Sequence, residues 1–542
     1  MRILVLLVLV LLAGCTASKD SKLPEEGDFP QTGPLLVPQD FATLAQALAA
    51  SEDGDTILIA PGTYSGRLAV DRRIVVASQG GQVIIESGLA PLVMLAGSSG
   101  ALVEGITFRS AGDAVGAVDP SVTGVTLRRV TLLGTGATTQ GLLALGTNGL
   151  VLENCQITAG ARALDYQGND VVIRNLTVLV TAALNGPAVV LHQANRALLD
   201  TVSVTAATGV VMGTGSGGVT FSEPSTGVRA NNIQVTLSGE QLLGVAANEM
   251  TDAVFDGGAL VTGGNTCRAF QAVDCQNITV RNYAVNSEVG GILMFAINLS
   301  SVAGALVENC QVAAGPAGAG IRFQGVQDVV VRSNQVVAGA EGITFFDYAG
   351  VQAVENTVFG GFNGIAFNLA NASAISKDHE VLRCRIIQTT GGGGAGDVGP
   401  GLFYRNCVFE DCPFGLVTAG TPILTENCVF SGCANAVGSF SGDPIVLVNC
   451  ILVNNGTTYT GLVFGDFNLF FNNLDGALPL GANGFVADPM LNADFTLGVG
   501  SPAIDAGDPS SQYFDAIPPG LGSSRNDIGA FGGPQAGQVG AP

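Results

Sequence analysis

The side chains able to act as nucleophiles, bases or metal ligands are few in this sequence. It contains two histidines, His192 and His379, and eleven cysteines. The histidines are far apart along the chain, so we expect them to be separate surface or turn residues. No Gly-x-Ser-x-Gly motif lies near either of them in the pattern of a serine hydrolase. A pair of His379 with Cys384 is not expected, because Cys384 should point into the core.

The carboxylates provide few further candidates for a catalytic or metal-binding site. Glycoside hydrolysis needs two carboxyl groups within about 10 Å of each other, yet the only adjacent acidic pair beyond residue 55 is Glu410-Asp411. Hard cations such as calcium prefer several oxygen ligands. Four aspartates near the C-terminus are candidates: Asp505, Asp508, Asp515 and Asp527. A network of capping turns explains their positions better than a calcium site, so we predict no cofactor.

The cysteines are spaced as a stacked column rather than as a metal site. Ten remain without Cys15, and four of them lie at positions 384, 407, 428 and 450. A zinc site would need CxxC-like pairs or cysteines together with histidine, and the sequence has neither. We expect buried free thiols. Disulfides between neighbouring repeats, or between Cys267 and Cys275, stay open as the alternative in an exported protein.

The composition excludes several classes of protein. Lys+Arg total 22 against 44 Asp+Glu, and the resulting net charge of -22 argues against a nucleic-acid-binding protein, which needs a basic surface. No apolar run beyond the N-terminus is long enough to span a bilayer. With 47% hydrophobic residues, the chain is also too apolar to be disordered. A folded, acidic protein is therefore predicted.

The first residues carry an export signal. Arg2 precedes an apolar run at residues 3–12, which is too short to span a membrane and is typical of a signal peptide over residues 1–14. The ending Leu12-Ala-Gly-Cys15 resembles the lipobox of bacterial lipoproteins. The resemblance implies cleavage before Cys15, a diacylglycerol on its thiol and, with Thr16 next, sorting to the outer membrane on its periplasmic or cell-surface face. An ordinary signal peptide is the alternative.

Beyond residue 100, one short phrase returns about every 25 residues. Its clearest copies read Glu-Asn-Cys between alternating apolar residues, at residues 150–157, 305–312 and 423–430. This alternation is typical of β-strands, and no helical pattern fills the Gly-rich gaps. Aligned on the Asn position, the copies fall at 105, 129, 154, 175, 201, 232, 257, 282, 309, 333, 356, 383, 406, 427 and 449. Asn suits a left-handed bend, and the residue after it should point inward.

The residue before each aligned position is usually charged, and the sign alternates from one copy to the next. In a solenoid these residues would stack about 4.8 Å apart, where opposite charges attract. We therefore predict a ladder of carboxylates and guanidinium groups, broken near 232, 383 and 449. Its members are Glu104, Arg128, Glu153, Arg174, Asp200, Asp256, Arg281, Glu308, Arg332, Glu355, Arg405 and Glu426.

Strand, bend and strand at this period, with no helix, predict a parallel β-solenoid. The repeat resembles that of right-handed parallel β-helix proteins with a pectin-lyase-like fold, over residues 35–533. The resemblance implies an all-β solenoid of about fifteen coils, with a short N-terminal helical cap and a C-terminal closing module. The predicted segments are the signal peptide (1–14), a flexible tether (15–34), the cap and first coils (35–100), the β-helix (101–475), the closing module (476–533) and a tail (534–542).

The same resemblance brings two classes of function. Lyases of this shape generally use Lys or Arg beside a carboxylate or calcium, but this chain has only three lysines, and five arginines belong to the predicted ladder. We therefore predict a non-catalytic, lipid-anchored envelope protein for display, adhesion or scaffolding, with polysaccharide or a surface protein as candidate partners. The alternative is a polysaccharide lyase or glycoside hydrolase acting on an extracellular polysaccharide.

Overall fold

The chain winds as an all-β parallel solenoid, which confirms the fold predicted from the repeat. It has about sixteen turns, against about fifteen predicted. The computed structural model describes residues 33–183, 186–207, 217–239, 241–263, 267–287, 294–368, 379–397, 402–418, 420, 422–440 and 442–540. Within them, each strand pairs in parallel with its counterpart one turn later.

Each turn contributes one strand segment to each of three faces. In one turn these are Gln140–Leu145 on sheet C, Val151–Glu153 on sheet A and Gln156–Ala159 on sheet B. Side chains alternate between the core and the solvent along each strand, which is the period-2 pattern read from the sequence. The β-branched and aromatic residues of the repeat thus fill one continuous core.

The strands of each face follow one another along the solenoid. Sheet A contains Leu35–Val37, Thr56–Ile59, Val75–Ser78, Leu102–Glu104, Thr126–Arg128, Val151–Glu153, Leu306–Glu308, His379–Leu382, Leu402–Arg405, Ile423–Glu426, Ile445–Val448 and Val463–Asp466. Sheet B contains Gly62–Ser65, Val83–Glu86, Ile106–Ser110, Thr131–Gly134, Gln156–Ala159, Gln311–Ala314, Gln335–Ala338, Thr357–Gly360, Arg385–Ile387, Val408–Glu410, Val429–Ser431, Ile451–Val453, Leu469–Phe471 and Phe485–Val486.

Longer strands run from one face to the next. Val172–Val180, Leu198–Ala206, Arg229–Ser238, Val254–Gly263 and Thr279–Ser287 bend from sheet A into sheet B, and Gly318–Arg332 and Glu341–Val354 from sheet C into sheet A. Sheet C also contains Leu68–Val70, Leu92–Met94, Ala114–Val118, Gln140–Leu145, Leu164–Gln167, Pro187–His192, Gly217–Ser222, Leu243–Asn248, Arg268–Val273, Met294–Ser300, Asn363–Asn368, Gly392–Asp397, Phe414–Thr418, Asn435–Ser439 and Thr457–Thr460. Ser225–Thr226 and Met250–Thr251 form a separate short pair.

The bend between sheets A and B has left-handed backbone at the aligned positions, including Asn154 (φ 54°) and Asn309 (φ 53°). One aligned position is wrong. Glu355, not Asn356, takes the left-handed bend (φ 55°) in its turn. Asn356 lies in the buried inward column, where its Nδ2 donates to the carbonyl of Val331 at 2.8 Å and its Oδ1 accepts from Asn334 Nδ2 at 3.0 Å. The amide satisfies backbone and side-chain groups that the core would otherwise leave unpaired.

Aromatic rings stack inside the solenoid because successive turns place them one above the other. Phe345 lies between Phe323 and Phe367 with centroid distances of 4.9 Å on both sides, and Phe409 stacks on Phe430 at 4.7 Å. Each fully buried Phe contributes about 2–3 kcal/mol of hydrophobic stabilisation. The core is therefore held by like-on-like columns.

The ten cysteines from Cys155 to Cys450 are free thiols, and all of them are buried. Burial raises the pKa of Cys155 and of Cys310 to about 11 in each case. The Cys407 backbone N–H donates to the sulfur of Cys428 one turn later at 3.4 Å. These thiols are core residues of the stacked column and have no metal-binding geometry among the residues that the structure describes.

A short helix covers the N-terminal end of the core. The helix Leu44–Ala50 begins after Thr43, whose side chain forms a capping box with Gln46. Its apolar face buries Leu44 and Leu48. Across the described residues, no helix is long and apolar enough to cross a membrane.

The C-terminal segment does not simply cover the last turn; it runs back along the side of the solenoid. We call residues 503–540 the strap. Asn449 Oδ1 accepts from the Asp508 N–H at 2.8 Å, Asn406 Nδ2 donates to the carbonyl of Ala530 at 3.0 Å, and Arg383 donates to the carbonyl of Gln535 at 2.9 Å. The strap therefore joins the bends of several successive turns, and it includes residues 534–540 of the predicted tail.

The aspartates considered as calcium ligands bind backbone instead. Asp515 accepts from the N–H groups of Asp527 (3.0 Å) and Gly533, and Asp527 accepts from those of Asp505 (2.8 Å) and Leu521 (2.7 Å). Over the described part of the chain, no cluster of three acidic, Cys or His side chains is placed to hold a metal ion.

We expect the strap to loosen as the pH rises. Burial raises the pKa of Asp515 to about 6, helped by the nearby charges of Asp527 and Asp505 and opposed by the N–H bonds. Because this exceeds the ordinary value near 4, the stabilisation is complete below about pH 4 and is lost as the pH rises through 6. The urea midpoint, measured from pH 4.5 to 7.5, should fall over this window.

Asp515→Asn should flatten that pH dependence. Asp494→Asn is the matched control, because a hydrogen bond from Thr496 keeps the pKa of Asp494 below its ordinary value, outside the window. A wild-type midpoint that is constant or rises between pH 4.5 and 7.5 would contradict the assignment.

Candidate functional site

The charged column of sheet A lies beside the bend, one residue before the left-handed position. In the strand register, Arg128 faces Glu104 of the preceding turn and Glu153 of the following turn. The column then continues with Arg174 and Asp200. Asn231 separates Asp200 from Asp256, after which Arg281, Glu308 and Arg332 follow in register. Arg405 and Glu426 face each other further along.

Ion pairs join many of these neighbours. They connect Arg128 to Glu153 (3.0 Å), Arg281 to Asp256 (2.7 Å), Arg332 to Glu308 (2.6 Å) and Arg405 to Glu426 (2.6 Å). Arg405 also pairs with Glu380 at 2.9 Å. Side chains committed to each other in this way fix the register of the strands, and they are poor candidates for catalysis.

The predicted membership of Glu355 in this column is wrong. Arg332 faces Val354 in the register, and Val354 faces Leu382. Glu355 occupies the bend one residue later, where it pairs with Arg383 at 2.8 Å. The reason is the shift at Asn356 described above, which moves the whole phrase by one position and turns Glu355 away from Arg332.

Two other sequence predictions concern the single residues Cys15 and His379. Cys15, the predicted lipid attachment site, lies outside the described residues. His379 is buried rather than at the surface, with its ring centroid 4.6 Å from that of Tyr348 and its Nδ1 accepting from the Val351 N–H at 3.3 Å. The surface or turn position expected for His379 is therefore wrong, and this histidine belongs to the core.

The outer face of sheet C brings together side chains that the sequence did not single out. The register places Gln167, His192 and Ser222 in one outward column on three successive turns. His192 Nδ1 lies 2.7 Å from Ser222 Oγ, and His192 Nε2 lies 3.1 Å from Asp165 Oδ1. Asp165 also forms an ion pair with Arg162. We call Asp165, His192 and Ser222 the Ser-His-Asp group.

Solvent exposure differs among the side chains of the Ser-His-Asp group. The Asp165 side chain is 11% exposed, whereas that of His192 is 25% exposed and reaches the surface. Glu223 lies on the other side of the ring, with its Oε1 3.5 Å from Nδ1. A hydroxyl, an imidazole and a buried carboxylate in this order can activate the hydroxyl as a nucleophile.

A second cluster lies on the same face, four turns further along. The guanidinium of Arg322 lies over the ring of Phe295 at 4.5 Å and over that of Phe346 at 4.9 Å. Arg268 lies two turns before Arg322 and donates to Gln271 at 2.7 Å. We call Arg268, Phe295, Arg322 and Phe346 the arginine platform.

Within the described residues, no carboxylate forms an ion pair with the arginine platform. Among the described residues neither Arg268 nor Arg322 pairs with a carboxylate, and Arg322 Nε is buried without a hydrogen-bond partner. Burial and the charge of Arg268 lower the pKa of Arg322. In a chain with a net charge of -22, unpaired guanidinium groups at a surface are suited to an external anion.

Comparison with known proteins agrees with this architecture. A family model described as "Right handed beta helix region" matches residues 218–378. The fold is a right-handed parallel β-helix. The matched segment includes Ser222 and the arginine platform, whereas Asp165 and His192 precede it.

Several solved structures are similar to this chain at low sequence identity. Pectate lyase Pel9A is 13% identical over 90% of both chains, with a TM-score of 0.24. PfbA, a surface adhesin of Streptococcus pneumoniae, is 12% identical over 69% of this chain and 92% of that one, with a TM-score of 0.33. The periplasmic alginate epimerase AlgG is 10% identical over 75% and 78%, with a TM-score of 0.28. No curated protein matches the sequence.

We expect Arg405→Gln to lower the free energy of unfolding by about 2 kcal/mol. The change removes the pairs with Glu426 and Glu380 and leaves two carboxylates that are only 14% and 19% exposed without their cation. Such a loss lies between that of a surface pair and that of a buried one. Urea unfolding of the purified protein measures it.

The matched control is Arg196→Gln. Arg196 also pairs with a carboxylate of the preceding turn, Asp170 at 2.6 Å, but its side chain is 65% exposed. Solvent screening should make its loss of unfolding free energy clearly smaller than that of Arg405→Gln. Equal losses for the two variants would show that the column of sheet A has no special weight in the fold.

Proposed function

We propose that the protein is a lipid-anchored β-helix of the bacterial cell envelope that binds an acidic polysaccharide along the outer face of sheet C without cleaving its backbone. The observation that carries the proposal is Arg322, which is held between two phenylalanine rings and whose Nε has no hydrogen-bond partner among the described residues. Holding an arginine in this way is useful where its free N–H groups bind an anion from outside.

The chemistry of the platform favours a carboxylated sugar over a neutral one. A guanidinium binds a carboxylate through two parallel N–H bonds, which gives both strength and orientation. Phe295 and Phe346 restrict the rotamers of Arg322, so little entropy is lost on binding. Their partly exposed rings also offer apolar surface to the CH groups of a sugar.

The shape of the face favours a polymer over a small molecule. Sheet C presents in-register outward columns on successive turns, at about 4.8 Å per turn. The platform and the Ser-His-Asp group are four turns apart, or about 19 Å. An extended polymer that lies along the solenoid axis would meet both sites, whereas a monosaccharide would meet one.

We expect Arg322→Gln to weaken binding of a uronic-acid polymer about 10- to 100-fold. Loss of a charge-assisted hydrogen bond costs about 1.5–3 kcal/mol, and 1.4 kcal/mol corresponds to a factor of ten. Calorimetric titration with polygalacturonate and alginate fragments, beside a neutral glucan, measures the change. Fragment length is followed in the same samples.

Arg67→Gln is the matched control, since Arg67 is exposed on the first turns and the change removes the same charge. It should bind as wild type does. Equal binding of the acidic and neutral polymers, or an Arg322 variant that binds as tightly as wild type, would refute the platform. Shortened fragments would replace the binding role with a polysaccharide lyase or hydrolase.

The lipid anchor has its own test. In the producing bacterium, the protein should incorporate labelled palmitate and sediment with outer membranes. Cys15→Ser should abolish the label and release the chain or leave it unprocessed, because lipid attachment needs the thiol. Cys155→Ser, which changes a buried thiol of the body, should keep the label. Label in the Cys15 variant would overturn the assignment.

A further inference from the structure

Three side chains from successive turns meet on sheet C in the order that nucleophilic hydrolysis requires. Asp165 accepts a hydrogen bond from His192 Nε2 at 3.1 Å, so that nitrogen carries the hydrogen. Nδ1 then has a free lone pair, and Ser222 Oγ lies 2.7 Å from it. The imidazole is therefore held in the tautomer that can remove the serine proton.

We propose that Ser222 is the nucleophile of an ester hydrolase, with His192 as general base and Asp165 as its positioning residue, and that its substrates are small acyl esters. That the esters are carried by a polysaccharide rests on the proposed function. The hydrolysis itself does not, because the Ser-His-Asp group is complete without the arginine platform.

The reaction balances with water as the only co-reactant. Ser222 Oγ bonds to the ester carbonyl carbon while its proton passes to His192 Nδ1. The bond from that carbon to the alcohol oxygen then breaks, and the alcohol leaves with the proton from Nδ1. A water molecule attacks the acyl-serine and gives its proton to Nδ1. The bond from the carbonyl carbon to Ser222 Oγ then breaks, and Oγ takes the proton back from Nδ1. The free acid leaves, and the serine hydroxyl is restored.

The charges around the ring support the protonated imidazole that forms in each half of this cycle. Asp165 lies on the Nε2 side, and Glu223 Oε1 lies 3.5 Å from Nδ1. Arg162 forms an ion pair with Asp165. Ser222, like His192, is partly exposed, whereas Asp165 is buried. An ester on a ligand lying along sheet C can reach Ser222 there.

A purely structural role fits these residues less well. Elsewhere in this solenoid, polar columns repeat one type of interaction: Asn148, Asn169 and Asn195 form an amide ladder at 2.8–2.9 Å, and sheet A alternates opposite charges. The Ser-His-Asp group instead joins three chemically different side chains, with the carboxylate at one ring nitrogen of His192 and the hydroxyl at the other. Its chain order is Asp, His, Ser, with the two ring nitrogens exchanged relative to the usual serine hydrolase arrangement.

The first test is covalent labelling of the full-length protein in detergent with a fluorophosphonate, followed by peptide mass spectrometry. The reagent marks activated serines and needs no polysaccharide. We expect one adduct, on the peptide that contains Ser222, and none in Ser222→Ala. His192→Gln should slow labelling at least about 100-fold, the usual contribution of a general base. Asp165→Asn should slow it while leaving the adduct on Ser222.

The matched control is Ser300→Ala. Ser300 lies in the same outward column, but its neighbours in register are Val273 and Gln324, so no imidazole activates it. This variant should be labelled as wild type is. Release of nitrophenol from p-nitrophenyl acetate should follow the same order among the variants, with an initial burst from the acyl-serine. The thermal midpoint of each variant shows that it is folded.

The results separate this proposal from the binding role. Labelling of Ser222 without polymer binding supports the esterase and refutes the binding face, whereas polymer binding without labelling does the reverse. A wild-type protein that takes no label and hydrolyses no nitrophenyl ester overturns the esterase. So does a label that persists in Ser222→Ala, or equal labelling of wild type and His192→Gln.

Discussion

Parallel pairing between successive turns is the constraint on which the rest of this structure depends. It places each residue about 4.8 Å from its counterpart one turn earlier, in register, so that every outward or inward position becomes a column along the solenoid. A column can therefore be filled by side chains that pack or bond favourably with a copy of themselves: apolar rings stack, thiols lie over thiols, and amides bond to amides. Charges can occupy a column only if they alternate, as Glu153 does between Arg128 and Arg174.

This constraint explains why the fold was readable from the sequence. A left-handed bend once per turn, marked by Asn, sets the period, and the alternating charges before it report the register independently. At Glu355 the sequence pattern alone does not determine which residue takes the bend. Its turn offers two candidates for the bend, Glu355 and Asn356, and the Asn looked like the other copies. Only the hydrogen bonds of the buried Asn356 amide decide between them.

The Ser-His-Asp group was not predicted because its members are separated by turns of unequal length. His192 follows Asp165 after 27 residues, and Ser222 follows His192 after 30. A signal was nevertheless present: counted back from the bends at 175, 201 and 232, Asp165, His192 and Ser222 lie 10, 9 and 10 positions earlier. The arginine platform gave no such signal, since Phe295 and Phe346 read as ordinary strand residues. Their meeting around Arg322 depends on the direction in which each side chain points.

The strap also changes how the molecule would respond to a pulling force. In a solenoid whose turns contact only their neighbours, an end can peel away one turn at a time. Here the C-terminal segment is bonded to the bends at 449, 427, 406 and 383, so its end lies several turns back from the last one. Tension applied at the C-terminus would first have to shear these lateral bonds, and the final turns would bear the load together. The solenoid would thereby resist unravelling from its last turns.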